Sequence, residues 1–532
     1  MIYIDKLKKE VGTRELFFIE KLSINEDEKI GLIGNNGVGK TTLFRILLGI
    51  DTEYSGYVDV KMKISSLLNN EKNDLKVQKS YSPGEYQRLR LDEVLLKEES
   101  FLLIDEPTSH LDIDQKEKLV KELKNRNKGF IIISHDRDFI NQTCDKIFEL
   151  SNKSLEVYNG NYTFYLEERI KRQKFLQREY FNYISEKNRL LSVASDIKKQ
   201  SSRVKTTPKR MGNSEARLHK MGGQENKKKL DKQVKAIESR INQLEVKERP
   251  KEEKAIELSM PENRKIHSKI LIRSEKLNKR FGDKVIFNNA KLEIENNRKI
   301  ALLGINGSGK TTLINMIINS GKTTLINMII NKEVWVHPNL KIGYYSQLGE
   351  RLNPLNSILE NVLETSIYDQ SITRIILARL GFKRNDVFKD INILSDGERA
   401  KVKLAKLITS DFNFIIMDEP TNFLDIRAIE ALEGLLKYYD RPILFVTHDI
   451  SFINNLADEL LMIENKKLNR FIGNLSQYRE SKARSSKKTS SEDFLIDFRL
   501  TAISNRLAME IPKSEREDLE EEYKNLLSQK NK

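Results

Sequence analysis

Two stretches of this 532-residue chain carry glycines, a lysine and hydroxyls at the spacing that phosphate chemistry needs. Gly34, Asn35, Asn36, Gly37, Val38, Gly39, Lys40, Thr41 and Thr42 follow the apolar run "KIGLI" and open an apolar-periodic segment. Gly304, Ile305, Asn306, Gly307, Ser308, Gly309, Lys310, Thr311 and Thr312 follow "KIALL" in the same way. A strand, a Gly-rich turn and a helix start are the setting in which this pattern forms a phosphate-binding loop. The glycines let backbone N–H groups curl around phosphate oxygens at the positive end of a helix. Lys40 or Lys310 then reaches the outer phosphates, and Thr41 or Thr311 can ligate Mg2+.

Downstream stand "FLLIDEPTSHLD" and "FIIMDEPTNFLD", each an apolar strand ending in adjacent carboxylates. Asp105 or Asp418 can hold the metal, while Glu106 or Glu419 polarises an attacking water, since in-line hydrolysis needs mainly positioning and charge neutralisation. Two surface acids at a strand end would not explain the histidines. His135 and His448 each lie 30 residues beyond the Asp, in "IIISHD" and "LFVTHD". They are candidate sensors of a γ-phosphate.

The elements that position these residues are written twice. "LKKEVGTRELFFIEKLSI" aligns with "LNKRFGDKVIFNNAKLEI" at an offset of 270, which persists through the glycine loops; from Ser82/Ser395 onward the offset is 313. The 43 additional residues of the second copy include a perfect 12-residue tandem duplication across 308–331; the other 31 imply that the first copy has a trimmed helical arm, which the second keeps near 356–382. The fold class expected is therefore α/β, with two tandem nucleotide-binding domains. Between them, 166–250 holds 23 Lys+Arg against 11 Asp+Glu and reads as two long helices of an antiparallel hairpin around a tip rich in breakers. At about 35 residues per arm, such a hairpin would reach about 50 Å.

The tip, 198–229, carries eleven basic residues against two acidic. The chain as a whole has net charge +15, which favours a polyanionic partner. One cysteine, Cys144, excludes an intrachain disulfide and fits the reducing cytoplasm. No run of about 18 uncharged apolar residues exists to span a bilayer. Expected boundaries are 1–165 for the first ATPase domain, 166–250 for the hairpin, 251–480 for the second domain, and 481–532 for a linker and short C-terminal helical extension.

The order of glycine loop, "YSPGE" or "LSDGE", "DEPT" and "SHD" or "THD" resembles the ATP-binding cassette superfamily. That resemblance implies ATP and Mg2+ as cofactors and ATP hydrolysis as the activity. It also implies two sites built head to tail, with Lys40 sharing an ATP with Ser395 and Gly397, and Lys310 with Ser82 and Gly84. Gln347 in "GYYSQ" matches the family's metal-binding glutamine loop, and Phe281 could stack on adenine where the first copy has Val11. Pro83 and Asp396 replace a glycine of the family's serine motif, one removing an N–H donor and the other adding negative charge.

Two cassettes with a basic hairpin between them resemble the ABC-F proteins, and the short first arm and C-terminal helices resemble their Vga-type antibiotic-resistance group. Implied for this chain are action as a monomer, ribosome binding at the tRNA exit site through rRNA and P-site tRNA, and protection against lincosamides, pleuromutilins and streptogramin A compounds. No stable membrane partner is expected. A housekeeping ABC-F translation factor is the near alternative, and an energising subunit of a membrane transporter the more distant one. Within 308–331 only the first repeat has a leading glycine, because Met316 stands in that place before Gly321-Lys322. The helix opened by Lys310 is expected to end at Asn319, leaving the second repeat as a displaced segment without a site.

Overall fold

A computed structural model of the protein describes every residue except 69–82, 110, 205–223, 248–264, 322–333, 347–351, 483–502, 504–523 and 525–532. The glycine loops are launched from the strands Lys29–Ile33 and Lys299–Leu303. Both strands, and the neighbours Phe101–Asp105, Phe130–Ile133, Phe414–Asp418 and Ile443–Val446, are buried almost throughout. Such continuous apolar runs belong at the centre of a parallel sheet covered on both faces.

In the first copy a nine-stranded sheet runs in the order Ser55–Val60, Ile2–Val11, Arg14–Ile24, Ser154–Tyr158, Lys146–Ser151, Lys29–Ile33, Phe130–Ile133, Phe101–Asp105, Ile64–Leu67. Its central strands pair in parallel, with Leu32 opposite Ile133 and Phe148. The first two strands of the chain form an antiparallel pair with Ile2 opposite Ile24. The second copy repeats this as a six-stranded sheet, Ile342–Tyr345, Phe414–Asp418, Ile443–Val446, Lys299–Leu303, Glu459–Glu464, Lys467–Ile472. A three-stranded antiparallel sheet of Lys284–Glu295, Ile270–Phe281 and Trp335–Val336 accompanies it. The parallel order brings the ends of the glycine-loop strand and the carboxylate strand together at one edge, with the histidine strand between them.

The helix after the first loop, Lys40–Leu47, stops because Gly49 takes a left-handed φ of 70° and its N–H reaches the Ile46 carbonyl at 2.9 Å. The matched position in the second copy is Asn319, and there the helix runs on as Lys310–Gly321. It passes the expected end by two residues, with Ser320 Oγ bonded back to the Met316 carbonyl at 2.8 Å. The rest of the duplicated string lies outside the described residues. In the second cassette's arm, Ser357 and Glu360 form a reciprocal cap on the helix Ile358–Leu363, and Gln370–Arg379 follows. The corresponding stretch of the first cassette is largely outside the described residues.

Tyr158–Lys254 forms a separate compact unit. Its helices, Tyr162–Arg203 of 42 residues and Gln224–Gln243 of 20, run antiparallel: Ser201 Oγ meets Asp231 Oδ1 at 2.6 Å, and Arg240 lies 3.9 Å from Glu186. The first arm is longer than the expected 35 residues or so, and the second is described from Gln224 onward. The first begins at Tyr162 because Asn161 accepts a hydrogen bond from the Phe164 N–H, and no Gly or Pro interrupts it for roughly 63 Å. Residues 205–223 of the tip and most of the C-terminal extension lie outside the described residues.

Candidate functional site

Each glycine loop ends in a left-handed residue that only glycine occupies without cost. Gly39 has φ 104°, and a Cβ there would sit 2.8 Å from Phe17; Gly309 has φ 108°, and its Cβ would sit 2.4 Å from Ile286. The turn wraps the lysine. Lys40 Nζ donates to the Gly34 and Asn35 carbonyls at 2.7 and 3.1 Å, and Lys310 Nζ to Gly304 and Ile305 at 2.6 and 3.2 Å. Thr41 Oγ1 donates to Asp105 Oδ2 at 3.0 Å, which brings the two metal-ligand candidates of the first cassette together.

Glu106 and Glu419 follow the carboxylate strands in the left-handed region, φ 52° and 50°, each with its N–H held by a histidine-strand carbonyl, Ile133 at 2.8 Å and Val446 at 2.9 Å. Such a conformation in a non-glycine residue is unfavourable, and its repetition in both copies marks a position that the surroundings enforce. His135 Nε2 lies 3.5 Å from Glu106 Oε1, and His448 Nε2 3.4 Å from Glu419 Oε1. The histidine loops are tied to the "EPT" turns by matched hydroxyl pairs, Thr108 with Ser134 at 3.2 Å and Thr421 with Thr447 at 2.8 Å. Asp136 and Asp449 then cap the next helices through the Phe139 and Phe452 N–H groups.

Each glycine loop also touches the opposite cassette. Asn36 of the first loop donates its Nδ2–H to the Phe423 carbonyl at 3.0 Å and its N–H to Asp425 Oδ2 at 3.4 Å; reciprocally, the Asn306 N–H donates to Asp112 Oδ2 at 3.4 Å. Ser395 caps the helix Asp396–Thr409, and a Cβ added to Gly397 would fall 3.1 Å from Asn36 Nδ2 and 2.7 Å from the Phe423 carbonyl. The second serine motif therefore stands beside the first glycine loop. Of its counterpart, Gly84 belongs to the helix Pro83–Leu95, while Ser82 lies outside the described residues, as does Gln347. Phe281 ends its strand exposed, with Lys279 Nζ 5.4 Å from the ring centroid.

The family profile described as "ABC transporter" matches residues 20–76 and 287–422. The chain is similar to the ribosome protection protein VmlR of Bacillus subtilis (strain 168), 28% identical over 507 residues that cover 91% of this chain and 90% of the relative. It is also 28% identical to ABC transporter F family member 5 of Arabidopsis thaliana over 403 residues, 75% of this chain and 54% of that one. The erythromycin resistance ATP-binding protein MsrA of Staphylococcus epidermidis is 32% identical over 466 residues, 83% of this chain and 93% of the relative. The chain belongs to the ABC-F family.

In this ABC-F protein burial, followed by the charge of the adjacent Asp105 or Asp418, pushes the Glu106 and Glu419 carboxyls up to about 8. Burial also raises Asp105 and Asp418 and lowers Lys40 and Lys310. A carboxyl poised near neutrality fits a group that takes up and returns a proton. His135, pushed down to about 3 by burial and then by Lys40, is neutral at physiological pH. The donors fit a nucleotide triphosphate and a hard cation: backbone N–H groups and an ammonium at a helix start, with a hydroxyl and a carboxylate 3.0 Å apart beside them. Bound there, Mg2+ would supply neutralisation of phosphate charge.

The sequence reading missed Asp112, Phe423 and Asp425. A usable signal was present, since Leu-Asp recurs seven residues after Asp105 and after Asp418. Among the described residues, no helix is long and apolar enough to cross a membrane.

Proposed function

We propose that this ABC-F protein binds and hydrolyses ATP at two composite sites within one chain, and uses the closure to hold a basic hairpin in the ribosome. The carrying observation is the reciprocal contact of Asn36 with Phe423 and Asp425 and of Asn306 with Asp112. Each glycine loop touches the opposite cassette, so a nucleotide would be enclosed by both and its hydrolysis would loosen the pair. In this reading Lys40 and Lys310 hold the phosphates; Thr41 with Asp105, and Thr311 with Asp418 and Gln347, hold Mg2+. Glu106 and Glu419 accept the proton of the attacking water, and His135 and His448 sense the γ-phosphate. Ser395 and Gly397 close one site in trans, Ser82 and Gly84 the other, and Phe281 stacks on adenine.

The proposed division is 1–165 and 251–480 for the cassettes, 166–250 for the hairpin and 481–532 for the C-terminal extension. The hairpin's net charge of +12, from 23 Lys+Arg and 11 Asp+Glu, suits rRNA and P-site tRNA at the tRNA exit site. Likeness to VmlR, named for ribosome protection, and to MsrA, named for erythromycin resistance, favours protection over housekeeping. The test is co-sedimentation of a Glu106→Gln/Glu419→Gln chain with ribosomes in ATP, paired with drug susceptibility of a sensitive host expressing the wild type. Trapping on ribosomes and reduced inhibition by a lincosamide, a pleuromutilin or streptogramin A are expected, with erythromycin as a further arm. Failure of the double variant to bind ribosomes in ATP would refute the mechanism, and unchanged susceptibility to every drug would favour the housekeeping role.

A further inference from the structure

The contacts between the cassettes are not symmetric. Asp112, which receives the Asn306 N–H, caps the helix Ile113–Lys124, and one turn on its Lys116 is almost fully buried. Lys116 Nζ donates to Asp136 Oδ2 at 2.5 Å within its own cassette and to the His448 carbonyl at 2.8 Å in the other. Residues four apart share one helix face, so a single helix start from the first cassette grips both the glycine loop and the histidine loop of the Lys310 site. At the matched offset of 313, Asp112 becomes Asp425 but Lys116 becomes Ile429. Asp425 repeats the glycine-loop contact with Asn36, while isoleucine has no donor to offer the His135 carbonyl.

The next pair extends the difference. Arg137 of the first cassette is paired with Glu433 of the second through two hydrogen bonds, one at 3.2 Å, and lies 3.6 Å from Asp449. Its matched residue is Ile450, and that of Glu433 is Val120. Both buried cations of this contact come from one side.

We infer that Lys116 is a trans-acting positioning residue for hydrolysis at the Lys310 site, setting the His448 loop and through it Glu419, whereas isoleucine holds the matched position 429 beside the Lys40 site. Burial disfavours a charge on Lys116, yet Asp136, Asp449 and Glu419 more than offset this and keep it protonated. The ammonium is therefore a permanent charged donor, and a hydrogen bond from a charged group is among the stronger ones. The inference rests on the reading of both composite sites as hydrolytic.

The test resolves the sites by silencing one catalytic glutamate at a time. In a Glu106→Gln background, where the Lys310 site alone turns over, Lys116→Met should lower kcat about tenfold with little change in the KM for ATP, and Lys116→Arg should restore part of it. In a Glu419→Gln background, where Lys116 reaches the Lys40 site only through Asp136 beside His135, the same change should cost less than at the Lys310 site, and an equal or larger loss there would overturn the inference. Because Lys116→Met strands the Asp136 charge, Lys116→Met/Asp136→Asn is the companion variant, in which the substituted amide oxygen keeps the cap on the Phe139 N–H. It should regain the wild-type melting temperature without regaining Lys310-site turnover. Recovery of both would make Lys116 a mere counter-ion and overturn the inference. Retained Glu106→Gln turnover that Lys116→Met leaves unchanged would overturn it alone, whereas no turnover in Glu106→Gln with Lys116 intact would overturn the two-site reading as well.

Discussion

Gly397→Ala places one methyl group where the second serine motif meets the first glycine loop. The added Cβ would stand 2.7 Å from the Phe423 carbonyl oxygen and 3.1 Å from Asn36 Nδ2. Phe423 is the residue whose carbonyl Asn36 holds at 3.0 Å, so relief by moving either group loosens the contact between cassettes. Inserting a methyl into such a packed position costs about 1–3 kcal/mol, which lowers the population of the joined Lys40 site by roughly fivefold to 150-fold. Gly397 is not in the left-handed region, so backbone strain adds nothing and the effect reads the contact alone. The assay is steady-state ATP turnover in a Glu419→Gln background, which isolates the Lys40 site, and in Glu106→Gln, which isolates the Lys310 site. A fall in kcat/KM confined to the former is expected. Gly434→Ala, on the helix Ile426–Lys437 with open space around its Cβ, is the control and should leave turnover unchanged. Equal turnover of Gly397→Ala and wild type at the Lys40 site, or equal losses at both sites, would refute the head-to-tail assignment.

Glu106 and Glu419 are raised to about 8 in the folded, nucleotide-free protein against an ordinary 4.5, so the folded state binds more protons than the unfolded state between those values. Stability should therefore fall as pH rises through that window, and Glu106→Gln/Glu419→Gln should melt several degrees higher than wild type at pH 8, at roughly 2–4 °C per kcal/mol, with the two curves converging near pH 4.5. Lys310→Ala should abolish nucleotide binding at the second cassette, whereas Lys322→Ala and deletion of 320–331 should preserve ATP hydrolysis; a deletion without turnover would show that the repeat has become structural.

The residues legible in the sequence were those whose chemistry is local. Gly39-Lys40-Thr41 and Gly309-Lys310-Thr311 are legible because strand, turn and helix start lie within a dozen residues, and Asp105 and Asp418 because an apolar run ends at them. The end of the first loop helix was legible too, since Gly49 can take the left-handed stop; Asn319 in its place explains why the second helix ran past its expected end. What was not legible joins residues far apart in the chain. Asn36 and Asp425 are separated by 389 positions, and the left-handed Glu106 and Glu419 depend on hydrogen bonds to a neighbouring strand.

Fusing both cassettes into one chain removes a constraint that a symmetric pair of identical subunits would carry. In a homodimer any residue at the 116 position would also occupy the 429 position, so a lysine gripping one histidine loop would grip both. Here the copies have diverged, and Lys116 and Arg137 face Glu433 and Asp449 while Ile429 and Ile450 occupy the mirror places. Ion pairs of the opposite sense, Arg427 with Glu149 and Arg479 with Glu117, cross the same contact, so the asymmetry lies in the buried pairs near the histidine loops and not in the sign of each face. The serine motifs differ in the same sense, with Pro83 in the motif assigned to the Lys310 site and Asp396 in that of the Lys40 site. Asp396 is exposed and its charge is screened by Arg399 at 3.5 Å, so its repulsion of a phosphate is reduced but not removed. The Lys310 site thus combines Lys116 on its histidine loop with a serine motif lacking one N–H donor, while beside the Lys40 site the second cassette places Lys401 on Asp425 and carries the acid Asp396.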